Sequence, residues 1–283
     1  MRPPQSSLAA ILCMVCFVGT GVYAQDDPGA VWQDLNRKVQ ELQEKGDHAA
    51  ARNAAKRALT VAEDGFGSDD PRVGTTLNNL GVSYFALREP KKAEPLFVRA
   101  IDIGEKAHPP DDLALASTRA NLAFLYEFEG KHARAEPLFE SALAAREKAL
   151  GLESPQSLDV AEGLCAVYRA EGREDDAYDL EQRVTGAESD ESAADVVLPV
   201  LVKRVDPQYP ESARARRLEG TVMIQAVIFK DGSVRFARVV KSTNSVFDSP
   251  ALHAVRLRTY VPASHQGKPI SIYFTIRVGF NAR

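Results

Sequence analysis

The sequence predicts a multidomain chain. An all-α solenoid of about four stacked helix pairs spans residues 28–185, and a small α+β domain of two helices on a three-stranded antiparallel sheet spans residues 198–283. Three observations carry this. A 42-residue repeat runs through the first part, a polar acidic segment at 186–197 interrupts it, and strict apolar alternation closes the chain. A length of 283 residues suits about two domains, and 45% hydrophobic with 26% charged residues is ordinary globular composition.

The amino terminus reads as a targeting segment. Arg2 opens it, no further charge follows until Asp26, and residues 8–18 are almost continuously apolar. Val22-Tyr23-Ala24 offers a signal-peptidase site before Gln25. Residues 1–24 are therefore either a cleaved signal peptide or an uncleaved inner-membrane anchor; the apolar core is short against the roughly 20 residues of a membrane span. Cys13 and Cys16 lie within it, so a cleaved chain would keep only Cys165 and would have no internal disulfide.

The repeat is ungapped. The stretch from Asn78, NNLGVSYFALREPKKAEPLFVRAIDIGEKA, aligns 42 residues ahead with that from Ala120. Leu80, Leu122 and Leu164 correspond, as do Tyr84, Tyr126 and Tyr168, and Ala51, Ala93, Ala135 and Ala177. Gly46, Gly130 and Gly172 share a register in which Arg88 is the exception. Each copy shows apolar residues at helical spacing, broken by a turn and ended by a proline-containing stretch. A single helix pair cannot bury its own stripe, so pairs must stack. Leu80-Gly81-x-x-Tyr84 and Ala93-x-x-x-Phe97 resemble the tetratricopeptide repeat, and the long period resembles the kinesin light chain type. Peptide-binding members of that family carry an asparagine before the leucine, on the concave face. Asn79 and Asn121 match that position, whereas Arg37 and Gly163 do not. The resemblance implies that Asn79 and Asn121 hold a peptide segment in the repeat groove; alternatively they are polar residues on a solvated helix face.

Residues 186–197 are small, polar and acidic at first, and are expected to form a flexible linker. Pro210 and Glu211 suit a helix start, Arg214, Arg216 and Arg217 suit its end, and Gly220 is expected to close it. Residues 221–230 form a strand, Asp231-Gly232 a hairpin turn, and 233–241 the return strand. Asp248 is expected to cap a second helix running to about Thr259, and residues 261–269 to be a loop. From Ile270 to Phe280, isoleucine, phenylalanine and valine alternate with polar residues, the mark of a half-buried strand.

PQYPESARARRLEGTV, the Asp-Gly hairpin, Ala254-Val255-Arg256 and Tyr260-Val261-Pro262 together resemble the TonB carboxy-terminal domain. That resemblance implies a periplasmic domain of a Gram-negative bacterium that grips an extended segment of a TonB-dependent outer-membrane receptor, or another envelope protein, by strand addition. Ile270, Ser271, Ile272, Tyr273, Phe274 and Thr275 would offer the sheet edge, and Asp206, Pro207, Gln208, Tyr209 and Pro210 would contact the partner from the other side. The chain departs from the family at Asp206, commonly a neutral amide, and at Arg258, commonly tryptophan. Residues 1–24 lack the histidine of the transducers' membrane helix, and no long proline-rich spacer is present. Two functions follow: a transport component engaging outer-membrane receptors, or a soluble periplasmic adaptor without energy transduction.

From Val196 onward there are 14 Lys+Arg and 5 Asp+Glu, a charge of +9, against 21 and 34 before it, a charge of −13. Such a split suggests either an acidic partner for the tail or docking of one half on the other. The basic residues are interspersed and carry no nucleic-acid motif, so no nucleic-acid partner is expected. Nor is an enzyme. The five histidines are scattered without ligand spacing, no nucleophile elbow or phosphate loop is present, and Cys165 falls on the helix-packing register of Gly81 and Ala123. No catalytic residue, metal or cofactor is expected. The acidic pairs Asp69-Asp70 and Asp111-Asp112 precede helices, where capping explains them.

Overall fold

Eight helices fall where the repeat places them: α1 (Pro28–Glu44), α2 (His48–Phe66), α3 (Pro71–Ala86), α4 (Pro90–Ala107), α5 (Leu113–Phe128), α6 (His132–Leu150), α7 (Pro155–Ala170) and α8 (Glu174–Thr185). The structure, a computed structural model, describes residues 27–187 and 195–281. The expected targeting segment at 1–24 lies outside the described residues. Side chains of Asp27, Asp70, Asp112 and Ser154 accept hydrogen bonds from the first backbone amides of α1, α3, α5 and α7, which otherwise have no partner.

The turn inside each pair repeats in geometry. Gly46, Arg88, Gly130 and Gly172 all take positive φ, 75°, 62°, 71° and 78°. The next residue's amide then bonds back to a carbonyl of the preceding helix, as Glu89 N donates to Tyr84 O at 3.0 Å. Arg88 thus adopts the conformation its position demands despite its Cβ.

Close packing explains the small residues of the repeat. Ala51, Ala93, Ala135 and Ala177 are fully buried. A Cβ on Gly81 would lie 2.6 Å from the Phe97 ring, and one on Gly163 2.6 Å from Phe139. The fourth pair therefore has no room for an asparagine at 163, where Phe124 and Phe139 meet edge to face at 4.9 Å. Cys165 is buried, its thiol donating to Ala177 O at 3.5 Å, and burial pushes the thiol up to about 12.

The carboxy-terminal domain contains β1 (Val196–Val197), β2 (Val200–Lys203), α9 (Glu211–Arg214), β3 (Gly220–Ile228), β4 (Val234–Ser242), a 3₁₀ turn (Ser245–Phe247), α10 (Asp248–Arg256), β5 (Thr259–Val261), β6 (Ala263–His265), β7 (Lys268–Ile270) and β8 (Ile272–Phe280). The main sheet is antiparallel in the order β4-β3-β8, with β2-β5 and β1-β6-β7 as smaller ribbons. Ile224, Ile228, Ile272 and Phe280 face the core with Phe247, Ala251 and Val255. Gly232 at the β3–β4 turn is required twice over. Its φ is 83°, and a Cβ would lie 1.9 Å from Tyr260 O.

Several expectations are corrected. The first helix is a single turn, because Arg217 takes φ 48° and Leu218 N bonds back to Ala213 O at 3.0 Å, ending α9 before Gly220. Asp248 does not cap the second helix; it lies inside α10, which follows the 3₁₀ turn capped by Asn244 and ends at Arg256. The expected loop at 261–269 is largely the β6–β7 hairpin, turning on Gln266 and Gly267 at φ 50° and 76°. The final strand is broken at Ser271. Structured chain also enters the expected linker from both ends. Ala187 packs into the solenoid core, and β1 pairs with β6 at Val196↔His265. Residues 188–194 lie outside the described residues.

The back of the main sheet docks on the last helix pair. Val227, Phe229, Phe236 and Tyr273 join the cluster that holds Leu164, Leu180 and Val184. A β-bulge makes this contact. Register shifts between Gln225 and Val227, Phe236 takes φ 52°, and its freed amide donates to Glu162 Oε1 at 3.0 Å. Burial pushes the Glu162 carboxyl above its ordinary value. Arg235, Arg238 and Lys230 pair with Asp159, Glu174 and Glu153 at 2.7, 2.9 and 2.5 Å. Every one of these pairs joins a basic tail residue to an acidic solenoid residue, so the charge split in the sequence includes a complementary internal interface.

Candidate functional site: the β8 margin

β8 pairs with β3 from Gly220↔Phe280 to Ile228↔Ile272 and, among the described residues, is the outer strand of its sheet. Its exposure differs along its length. Thr275, Arg277 and Gly279 are exposed, and between them Ile276, Val278 and Phe280 point into the core. Ser271, Ile272 and Tyr273 are all buried, while Ile270 and Phe274 are half-buried. Alternation fails at Tyr273 because both faces of the sheet are covered there: Ile272 packs within the tail domain and Tyr273 against the solenoid. The Tyr273 ring stacks on Tyr178 at 6.0 Å and 21°, and its hydroxyl donates to Glu181 Oε2 at 3.1 Å. Glu181 is buried and also accepts from Arg169. Burial and the Glu181 carboxylate push the Tyr273 phenol up. Of the expected edge residues, Thr275 therefore lies on the open half, and the accessible stretch continues past it to Gly279.

The lead-in segment meets that open half. Asp206 and Pro207 line a cavity of about 190 Å³ together with Leu201, Arg204, Arg258, Arg277, Val278 and Gly279. Asp206 is exposed and accepts from Arg204 Nε at 2.7 Å. Tyr209 anchors the segment: its ring meets Phe247 and Phe280 edge-on at 5.8 and 6.0 Å, and its hydroxyl donates to Leu218 O. Pro210 caps α9, and Gln208 is exposed. The structure thus brings Asp206 and Pro207 to the β8 margin beside Arg277, Val278 and Gly279. Sequence reasoning named Arg258 only as a departure and missed Leu201 and Arg277 as cleft residues. Arg277 stood in the outward half of the alternation, the one signal that could have exposed it.

Asn79 and Asn121 stand apart from this margin. They lie on α3 and α5, whose row also holds α1 and α7. Asn79 Nδ2 donates to Asn36 Oδ1 at 2.7 Å, and Asn121 Nδ2 to Asn78 Oδ1 at 2.8 Å. Part of each carboxamide therefore ties neighbouring helices together.

The repeats match the tetratricopeptide repeat family over residues 40–106 and 112–187, half of the chain. The chain is a tetratricopeptide-repeat protein. Residues 205–282 match the family described as Gram-negative bacterial TonB protein C-terminal. Among solved structures, the chain is similar to a Podosopora anserina kinesin light chain protein of nearly identical TPR-like repeats, at 21% identity and TM-score 0.51, covering 56% of this chain and 75% of that one. It is also similar to BtubC (BKLC) from P. vanneervenii, at 23% identity and TM-score 0.51, covering 57% and 64%. These likenesses establish the solenoid fold alone. A search of curated proteins found no match. Both matched families are protein-interaction domains, and their combination in one chain supports a TonB-like envelope protein with repeat-mediated protein interaction. Among the described residues, no helix is long and apolar enough to cross a membrane.

Proposed function

We propose that the open half of β8 binds an extended segment of an outer-membrane receptor, or of another envelope protein, by strand addition. The carrying observation is that, among the described residues, β8 pairs on one side only, with Thr275, Arg277 and Gly279 exposed and the lead-in segment walling the opposite side of the cleft. Unpaired amides and carbonyls along a margin are a template for another strand, and main-chain pairing supplies affinity while flanking pockets supply choice. In this reading Asp206 and Pro207 select the partner and Tyr209 holds them in place. The repeats bind a second protein, with Asn79 and Asn121 offering their remaining amide atoms to a peptide. The test is isotope-edited NMR on envelope peptides selected by display. Cross-strand contacts to residues 275–279 support the reading, and binding without them refutes it.

The docked tail favours a second reading, a periplasmic adaptor without energy transduction. A sheet fixed to α7 and α8 by buried aromatic and carboxylate contacts holds the two binding faces at a set geometry, unlike an arm on a long spacer. Sequencing the amino terminus of the exported protein separates the two. Gln25 favours the adaptor, whereas a retained Met1 in the membrane fraction favours an anchored transport component.

A further inference from the structure

The cleft beside Gly279 carries an unbalanced charge. Arg204, Arg258 and Arg277 line it with a single carboxylate, Asp206, which Arg204 already holds at 2.7 Å. Arg258 is 9% exposed. Its Nε donates to Val205 O at 3.3 Å, and no carboxylate pairs with it among the described residues. Arg277, on β8 itself, has no carboxylate partner among the described residues either. The stem of Arg258 is buried while its guanidinium faces the cleft with no counter-charge beside it, so an anion entering from solvent gains a charge-assisted partner held in place by packing. The planar fork of arginine suits a carboxylate held by two parallel hydrogen bonds.

We propose that this cleft is a carboxylate-binding subsite, filled by an aspartate or glutamate side chain of the segment that adds to β8. The identity of that carrier rests on the strand-addition reading; the anion site itself does not. Arg258 forms the floor, Arg277 supplies a second guanidinium on the strand margin, and Asp206 excludes anions that approach along the Arg204 side. The visiting chain then places an acidic residue near the register of Arg277 to Gly279, and a basic residue there is rejected.

The test follows arginine Nε–H signals in the ¹⁵N-labelled full chain. Sodium acetate should produce saturable shifts at Arg258 and Arg277 that the same concentration of sodium chloride does not. The peptide acetyl-Thr-Val-Glu-Val-Thr-amide should perturb the amides of residues 275–279 and bind about tenfold more tightly than its glutamine counterpart. Arg277→Gln, at an exposed position, should abolish that preference with unchanged melting temperature. Acetate shifts without peptide binding keep the anion subsite and overturn strand addition. Equal binding of both peptides with no acetate response overturns the subsite and keeps strand addition. A preference that survives both Arg277→Gln and Arg258→Gln also overturns it.

Discussion

Tyr273→Phe isolates the contact that ties the tail domain to the solenoid. The substitution removes one hydroxyl and leaves the ring stacked on Tyr178, so little cavity forms. The hydroxyl donates to Glu181 Oε2 at 3.1 Å, and Glu181 is 1% exposed with Arg169 as its other donor. A hydrogen bond to a charged group contributes about 1.5–3 kcal/mol, and a buried acceptor left short carries its desolvation cost. If α8 exchanges its amides by opening of the dock, protection over residues 180–185 should fall by about 10- to 150-fold. Hydrogen–deuterium exchange on the full chain measures this directly. Tyr209→Phe is the control. It removes a tail hydrogen bond remote from the dock and should loosen the lead-in segment while leaving α8 unchanged. Undiminished α8 protection in Tyr273→Phe would refute the reasoning, as would an equal loss in the control. A cycle with Glu181→Gln should give a coupling of about 1 kcal/mol or more.

Three further outcomes are expected. The Glu162 carboxyl is raised in the folded protein, so the folded state binds more protons than the unfolded one, and this group's contribution to stability falls as pH rises from its ordinary 4.5 through the raised value. Glu162→Gln keeps an acceptor for Phe236 N, so its urea midpoint should equal or exceed the parent's at pH 7, the difference closing toward pH 4.5. Reversing charge at Lys230, Arg235 and Arg238 together should weaken the dock by about 1–3 kcal/mol at low salt and by less at 0.5 M, read from α8 exchange at the two ionic strengths. Arg88→Gly should stabilise the solenoid by about 0.5–1 kcal/mol in thermal or urea unfolding, because a glycine suits the φ of 62° that Arg88 is forced to take.

The solenoid was legible because its determinants are local and repeated. Alanines at 51, 93, 135 and 177, tyrosines at 84, 126 and 168, and capping acids at 70 and 112 each announce one contact per pair. The short elements of the tail were less so. Gln266-Gly267 forms a two-residue turn although glutamine seldom takes positive φ, and Pro262 and Pro269 on either side read as loop. Arg217 ends α9 for a tertiary reason, the inward turn of Leu218, which no local pattern encodes. The dock was visible only as a charge imbalance with two explanations. The burial of Tyr273 could not be read from alternation, which assigns it to solvent, because the surface that covers it comes from α8. Arg258 was legible as a departure but not as a site, since its surroundings are assembled from β2, the lead-in segment and β8.

The central claim is that the outer margin of β8 pairs with a visiting strand. Photo-crosslinkers placed singly at Thr275 and Gly279 of the full chain in intact cells, with linked peptides identified by mass spectrometry, test it most directly. The account predicts links from both positions to one short segment of one envelope protein, in consecutive register and lost on competition with that synthetic segment. Links only to this chain's own solenoid, or to scattered sites without register, would contradict it.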